Sequence, residues 1–265
     1  MIRFKSLSSG SCGNCYFLGI FSDEGRCEHS LIIDTGVSLR RAKKDLQRDN
    51  IAVEEIDAIL VTHDHNDHIR SLGSWCKRLK KPVWTTGRLH DALTCNYMVH
   101  PWISDCRRKL SDSGWSEPVP GHIRVRWFEV PHDATQTVGY AIDMDGYMFV
   151  IMTDVGAMTD EALEMARQAR TLVIEANYDY DMLVHGPYPK ALQDRICGGR
   201  GHLSNDDCAA TIRAARHEGL DNIFLCHLSE HNNTPDLAVG ACREAAGTSR
   251  LTALPRQTPS QITNL

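Results

Sequence analysis

Three histidines and an aspartate that can ligate metal ions lie within six residues of this sequence, at His63, His65, Asp67 and His68. Residues two apart on an extended chain point to the same side, so His63 and His65 can reach one ion together. Asp67 and His68 lie where the chain turns into a helix and can face a second ion. Imidazole nitrogen and carboxylate oxygen suit Zn²⁺, Mn²⁺ or Fe²⁺. A polar turn is the alternative, but it has little structural use for so many histidines.

One short stretch cannot complete two coordination shells, so further ligands must come from elsewhere in the chain. His132, Asp154 and His227 are ligand-type residues that each follow a predicted strand. The carboxyl ends of strands are where open α/β sheets gather ligands. An ordinary turn is the alternative for His132 and Asp154, and His231 is the rival of His227.

The elements that must position these residues follow from the hydrophobic pattern. It predicts strands over 4–7, 16–20, 30–34, 58–62, 82–85, 123–130, 138–144, 147–153, 171–175 and 222–226. It predicts helices over 39–49, 69–79, 160–169, 206–218 and 235–246, with Thr159 and Ser204 at helix starts. We expect two mixed sheets packed face to face with helices outside, in one domain over 1–265. The polar tail from about residue 255 is expected to be loose.

Composition excludes several classes of protein. The chain has 265 residues, of which 42% are hydrophobic and 24% charged, and it lacks an apolar run long enough to span a membrane. The net charge of −5 argues against general coating of nucleic acid, although local basic patches leave a nucleic-acid enzyme open. The ten cysteines are scattered and no signal peptide is evident, so we expect a cytoplasmic protein with reduced thiols.

The stretch His63-x-His65-x-Asp67-His68 resembles the signature of the metallo-β-lactamase-fold hydrolases, and Asp34 and the later candidate ligands follow in that superfamily's order. Five further segments resemble the YycJ/WalJ subgroup, at 8–14, 175–177, 186–189, 201–205 and 227–235. The resemblance implies an α+β fold, the metallo-β-lactamase αββα four-layer sandwich. It also implies a DNA exonuclease that acts from the 5′ end.

The resemblance further implies a role for each candidate residue. His63, His65 and His132 would hold one divalent metal ion, Asp67, His68 and His227 would hold the other, and Asp154 would bridge them. A hydroxide bridging two Zn²⁺ or Mn²⁺ ions, with Fe as the alternative, would attack the phosphodiester of DNA. Catalysis would depend on Asp67 and on His202, which with His231 is a candidate to protonate the leaving oxygen. Residues placed beside the metals or the substrate are Asp34, Ser8, Ser11, Asn14, Asn177 and Tyr178. Tyr178 departs from the subgroup, where histidine is common.

Other functions fit the same ligands. A hydrolase of small thioesters, lactones or cyclic phosphodiesters would use the same metals in a closed pocket. A di-iron redox protein is less favoured, because reductases of this fold carry glutamate at the position of His65. A non-catalytic metal-binding interaction protein is the fourth reading. Three basic runs, at 40–44, 77–81 and 107–109, are either solvated faces or a track for a phosphate backbone. The sequence does not define an oligomeric state or a role for Cys12 and Cys15.

Overall fold

Two seven-stranded sheets form the framework of the protein, and a computed structural model describes all 265 residues. The strands are β1 (Ile2–Ser8), β2 (Cys15–Phe21), β3 (Cys27–Ile33), β4 (Ala58–Leu60), β5 (Val83–Thr85), β6 (Arg107–Lys109), β7 (Ser116–Val119), β8 (Ile123–Glu129), β9 (Val138–Met144), β10 (Tyr147–Met152), β11 (Thr171–Glu175), β12 (Asn222–Cys226), β13 (Arg250–Ala253) and β14 (Thr263–Asn264). The first sheet has the order β14-β1-β2-β3-β4-β5-β6, and the second has the order β13-β12-β11-β10-β9-β8-β7.

Ten α-helices connect these strands. They are α1 (Leu39–Gln47), α2 (Asn66–Ile69), α3 (Leu72–Leu79), α4 (Gly87–Cys95), α5 (His100–Ile103), α6 (Asp160–Ala166), α7 (Tyr180–His185), α8 (Lys190–Cys197), α9 (Asn205–Ala215) and α10 (Pro235–Ala246). The predicted helix starts are confirmed, because Thr159 caps α6 and Ser204 caps α9 through their side chains. None of the helices is long and apolar enough to cross a membrane.

The chain forms two compact units. The first unit comprises Met1–Arg126, Ile142–Tyr147 and Gln257–Leu265, and the second comprises Trp127–Ala141 and Met148–Arg256. The single domain over 1–265 stays a prediction.

A row of apolar side chains across the first sheet anchors the first unit. Phe17, Ile32, Ile59 and Val83 lie side by side on four neighbouring strands, because the register pairs each with the next. All four are buried in one cluster that includes Trp75 of α3. Since side chains alternate across a strand, this row shows that one face of the sheet is covered by helices.

Parallel strands with aligned ends organise the second unit. Strands β10, β11, β12 and β13 run parallel, and the register pairs Met152 with Ile174, and Ile174 with Leu225. The residues that follow these positions therefore emerge at the same edge of the sheet. This edge carries Asp154, Glu175 and His227.

The structure differs from the predicted elements in several places. The tail expected to be loose is held, because β14 pairs with β1 and the amide of Ser260 donates to the carbonyl of Ser6 at 2.8 Å. Its short polar strand satisfies the edge of β1, which no hydrophobic pattern reveals. The helix predicted over 69–79 starts later, as α3 at Leu72, and follows the short helix α2, which ends at Ile69. Between them the amide of Ser71 donates to the carbonyl of Thr35. The predicted ranges also do not include the helices α4, α5, α7 and α8 and the strands β6, β7 and β13.

Candidate metal centre

Three of the candidate residues adopt a strained backbone conformation within two residues of the end of a strand. Asp34, Asp154 and His227 have φ angles of 59°, 57° and 54°, in the left-handed region that favours glycine. A non-glycine residue there costs on the order of 1–3 kcal/mol and persists only where its surroundings hold it. The turn redirects each side chain at the end of β3, β10 or β12 instead of letting the strand continue. Such strain is typical of functional sites.

In the first unit, a buried carboxylate contacts the loop over 63–68 that carries four of the predicted metal ligands. Asp34 accepts hydrogen bonds from the amide and hydroxyl of Thr62 at 2.9 and 2.7 Å, and it pairs with Nδ1 of His68 at 2.7 Å. The ring of His63 lies 3.9 Å from that of His68 and 4.8 Å from that of His65. The structure therefore brings the three predicted histidines together, with Asp34 beneath them.

Backbone contacts lock this loop against two neighbouring turns. The amide of Asn14 donates to the carbonyl of Asp67 at 2.8 Å, and the amide of Gly36 donates to the carbonyl of Asn14 at 2.8 Å. A β-carbon on Gly36 would lie 1.7 Å from the carbonyl oxygen of Asp67, so only glycine fits at this position. The side-chain amide of Asn14 also donates to Oδ2 of Asp67 at 3.2 Å. Three segments distant in sequence thus fix the position of Asp67.

In the second unit, Glu175 connects the predicted ligands that follow the parallel strands. One of its oxygens lies 2.8 Å from Nδ1 of His227 and 2.9 Å from Nδ1 of His202. The other accepts the amides of Val155 at 2.7 Å and Leu203 at 3.1 Å, the residues next to Asp154 and His202. Ligand-type atoms of Asp154, Glu175, His202 and His227 all lie within 4.8 Å of one another.

Glu175 belongs to this cluster of ligand-type residues, but it is not among the candidates that the sequence indicates. It ends the apolar strand β11, and its side chain is fully buried. A glutamate is rarely buried without paired partners, so a charged residue closing a run of buried residues was the available signal. In the sequence, Glu175 stands out only as part of the segment 175–177 that resembles the subgroup.

In four buried histidines, a hydrogen bond at Nδ1 makes Nε2 the nitrogen that could ligate a metal ion. Nδ1 of His68 faces Asp34, and Nδ1 of His227 faces Glu175, both carboxylates that only accept. Nδ1 of His132 lies 2.7 Å from the carbonyl of Gly201. Nδ1 of His63 lies 3.1 Å from the hydroxyl of Thr62, whose proton goes to Asp34. In each ring the proton belongs on Nδ1, which leaves the lone pair on Nε2. In His68 this lone pair faces the side-chain amide of Asn14 at 2.8 Å.

Charge interactions shift several pKa values in the second unit. Burial would raise the pKa of Glu175, but the neighbouring His202 and the hydrogen bond from His227 outweigh it, and the pKa is lowered. Burial would lower the pKa of His202, but the charge and hydrogen bond of Glu175 outweigh it, and the pKa is raised. Burial lowers the pKa of His132, so its ring stays neutral. A neutral imidazole is the form that ligates metal.

The remaining predicted residues have different surroundings. The amide of Asn177 donates to the carbonyl of His227 at 2.8 Å, which supports the turn after β12. Tyr178 is buried with Leu183 and Ile196, which favours a packing role. His231 is exposed, and its ring lies edge-on to that of Tyr188 at 5.9 Å.

The serine-rich turn after β1 is split between buried and exposed residues. Ser8 is buried opposite Cys15, whereas Ser11 and Cys12 are exposed. Burial raises the pKa of the Cys15 thiol, and all ten cysteines are free. Cys15 therefore lacks the character of a reactive or metal-binding thiolate.

The chemistry of the donor set fits divalent metal ions. Each unit presents buried imidazoles with Nε2 lone pairs beside at least one aspartate, and each imidazole is oriented by a hydrogen bond on its other nitrogen. Metal-ligating histidines in proteins almost always carry such a partner. Nitrogen and oxygen donors of this kind suit first-row divalent ions, with no preference that the donors alone define.

Comparisons with known proteins agree with this chemistry. The model of the beta-lactamase superfamily domain matches residues 29–227. Two curated relatives are the exodeoxyribonuclease YycJ of Bacillus anthracis and the exodeoxyribonuclease WalJ of Streptococcus pneumoniae. Each is 30% identical over 89% of this chain, and the match covers 86% and 85% of the relatives' lengths.

Solved structures confirm the predicted fold class. The metallo-beta-lactamase fold protein YhfI from Bacillus subtilis has a TM-score of 0.69 at 14% identity, over 98% of both chains. Zn²⁺-bound PqqB from Methylobacterium extorquens has a TM-score of 0.70 at 16% identity, over 99% of this chain and 100% of its own. The fold is the α+β metallo-β-lactamase αββα sandwich.

Proposed function

This chain belongs to the beta-lactamase superfamily and, within it, to the YycJ/WalJ-like subgroup, and from that premise we propose that it is an exodeoxyribonuclease that digests DNA from the 5′ end. It is a metal-dependent hydrolase of that superfamily. The observation that carries the finer proposal is its relation, over most of its length, to two proteins named exodeoxyribonucleases. The oriented imidazoles of both units support it, because phosphodiester hydrolysis is a reaction that paired divalent ions accelerate.

We propose two sets of metal ligands and one shared ligand. His63, His65 and His132 would hold one ion, and Asp67, His68 and His227 the other, with Asp154 shared between them. The orientation of Nε2 in four of these histidines supports the assignment. When bound, divalent ions acidify a water to a pKa near 7 and neutralise charge that develops on the phosphate.

The other residues would position groups and move protons. Asp34 and Glu175 hold the ligating rings in one orientation and keep their protons on Nδ1. His202 would donate a proton from Nε2 to the leaving oxygen, since Glu175 already occupies its Nδ1 at 2.9 Å. Asn14 contacts both Asp67 and His68 through its side-chain amide, and its place beside them suits a contact to the substrate phosphate.

Digestion of end-labelled DNA tests the proposal. The Mn²⁺- or Zn²⁺-loaded protein should release short labelled products at the earliest times from 5′-labelled DNA, while 3′-labelled strands shorten gradually. Asp67→Ala and His68→Ala should abolish release, and His100→Ala, at an exposed histidine of the first unit, should retain it. A fully metal-loaded protein that leaves both labels intact would overturn the proposal.

The same experiment separates the alternative of a small-molecule hydrolase. In parallel, the protein is given bis(p-nitrophenyl) phosphate and a simple thioester. Hydrolysis of either compound without release from DNA would replace the nuclease by an enzyme acting on small esters. Release from DNA at rates far above those on either compound would favour the nuclease.

A further inference from the structure

A groove of about 720 Å³ lies in the first unit beside the helices α1 and α3. Its volume is within the range of sites that hold small ligands or parts of larger ones. The polar residues lining it are two arginines, one lysine, one glutamate and three serines, which are Arg40, Arg78, Lys43, Glu54, Ser38, Ser71 and Ser74. Its lining is therefore rich in donors and carries positive charge.

In the first basic run, some charged side chains have bonding partners and others have no carboxylate partner. Arg41 donates to the backbone carbonyls of Leu7 and Gln257, so its charge holds the fold together. Lys43 pairs with Glu54, the one acid in the lining of the groove. Arg40 is exposed and has no carboxylate partner. Arg40 thus contributes an uncompensated charge.

The other two basic runs differ in how many of their charged side chains have partners. Lys77 lies over the ring of Trp102 at 4.3 Å, whereas Arg78 is exposed in the groove and has no carboxylate partner. In the third run, Arg107 pairs with Asp91, and Lys109 pairs with Asp112 at 2.6 Å. Arg107 and Lys109 of the third run are therefore paired with aspartates, whereas Arg40 and Arg78, which have no carboxylate partner, both line the groove.

The groove begins next to the ends of two loops, the one that carries Asp34 and the one over 63–68. Ser38 follows Gly36 by two residues, and Ser71 follows His68 by three. The amide of Ser71 donates to the carbonyl of Thr35 at 3.2 Å, which joins the two loops at this end of the groove. Residues of the groove therefore follow both loops within a few positions, which suits a site for the phosphates next to the one being cut.

We propose that this groove binds the sugar-phosphate backbone of the DNA strand next to the phosphodiester being cut, with Arg40 and Arg78 pairing with successive phosphates. Guanidinium groups match phosphate oxygens through paired N–H donors. The three serines add hydroxyl donors, as is common in contacts to nucleic-acid backbones. The inference rests on the proposed function, since it names how that site would hold its substrate.

Salt dependence of DNA binding tests the groove. The metal-loaded protein is titrated with a fluorescent single-stranded oligonucleotide with phosphorothioate linkages at its 5′ end, at several salt concentrations. Each phosphate contact contributes about 0.7 to the slope of log K against log salt for single strands. The double variant R40Q/R78Q should weaken binding and lower the magnitude of the slope by about 1.4. The control R107Q/K109Q has the same change in net charge and should leave the slope unchanged. Thermal melts check that both variants fold.

Each outcome decides a different claim. Loss of slope in R40Q/R78Q but not in the control supports the groove. Equal slopes in the two double variants overturn the groove, while nucleotide release by the wild-type protein keeps the nuclease proposal intact. A wild-type protein that neither binds nor digests DNA overturns both, and that failure is visible before any variant is compared.

Discussion

Replacing Glu175 by glutamine is expected to weaken metal binding much more than it weakens the fold. In the wild-type protein, one oxygen of Glu175 accepts two backbone amides and the other faces Nδ1 of His202 and of His227. Glutamine keeps one oxygen for the amides but turns an NH₂ group toward the rings. Because NH₂ only donates, the ring of His227 must move its proton to Nε2, the nitrogen that would ligate the metal.

The expected loss follows from the role of such hydrogen-bonded partners. Removing a carboxylate that orients a ligating histidine costs about 10–100-fold in metal affinity, or roughly 1.4–2.7 kcal/mol. Glu175→Gln should fall in this range for the ion held by His227. Glu175→Ala should behave differently, because it leaves several buried donors without an acceptor. Breaking a buried charged network costs about 3–5 kcal/mol, so this variant should unfold readily even without metal.

Two measurements separate these effects. Competition with a chelator at neutral pH gives the metal affinity, and urea unfolding of the metal-free protein gives the stability. Glu164→Gln, at an exposed glutamate of α6, is the matched control and should change neither. A Glu175→Gln protein that binds metal as tightly as the wild type would refute the argument from ring orientation.

Three further predictions follow from single contacts. A methyl group on Gly36 would collide with a backbone carbonyl at 1.7 Å, so Gly36→Ala should destabilise the protein by about 2 kcal/mol or more in urea unfolding. Gly240→Ala, in open space on α10, should stabilise it by about 0.5–1 kcal/mol, and equal effects of the two would contradict the clash. Tyr16→Phe removes the hydroxyl that donates to Asn14 at 3.2 Å and should cost about 1 kcal/mol, together with a few-fold loss of turnover on DNA if Asn14 contacts the substrate. Burial lowers the pKa of His90, so the unfolded chain takes up its proton first as pH falls. The contribution of His90 to stability is therefore complete above about pH 6.5 and is lost below it. His90→Gln should flatten the fall in the urea midpoint between pH 7 and 5, and an unchanged slope would show that other groups cause it.

The part of the site that sequence predicts best is the part made by neighbouring residues. His63, His65 and His68 lie within one short stretch, so an extended strand followed by a helical turn brings them together without knowledge of the fold. His132 and Asp154 were predicted from their place after strands, and the structure puts His132 Nε2 at 3.7 Å from Asp154. Strand ends are predictable from hydrophobic runs, and parallel register makes neighbouring ends meet.

The features that were missed depend on contacts between distant segments. Glu175 acquires its role from amides at 155 and 203 and from rings at 202 and 227. The strand β14 exists because the edge of β1 accepts it, not because its two residues favour a strand. The left-handed backbone at Asp154 and His227 is not predictable from the sequence either, since neither residue type by itself indicates that conformation. Local pattern cannot report interactions that only the folded chain creates.

Metal titration of DNA digestion tests the central proposal most directly. The metal-free protein is supplied with increasing equivalents of Mn²⁺, bound metal is counted, and nucleotide release from 5′-labelled DNA is followed at each step. We expect no release from the metal-free protein and a plateau once two ions are bound per chain. Release that persists in excess chelator, or a protein with two bound ions that leaves DNA intact, would contradict a two-metal exodeoxyribonuclease.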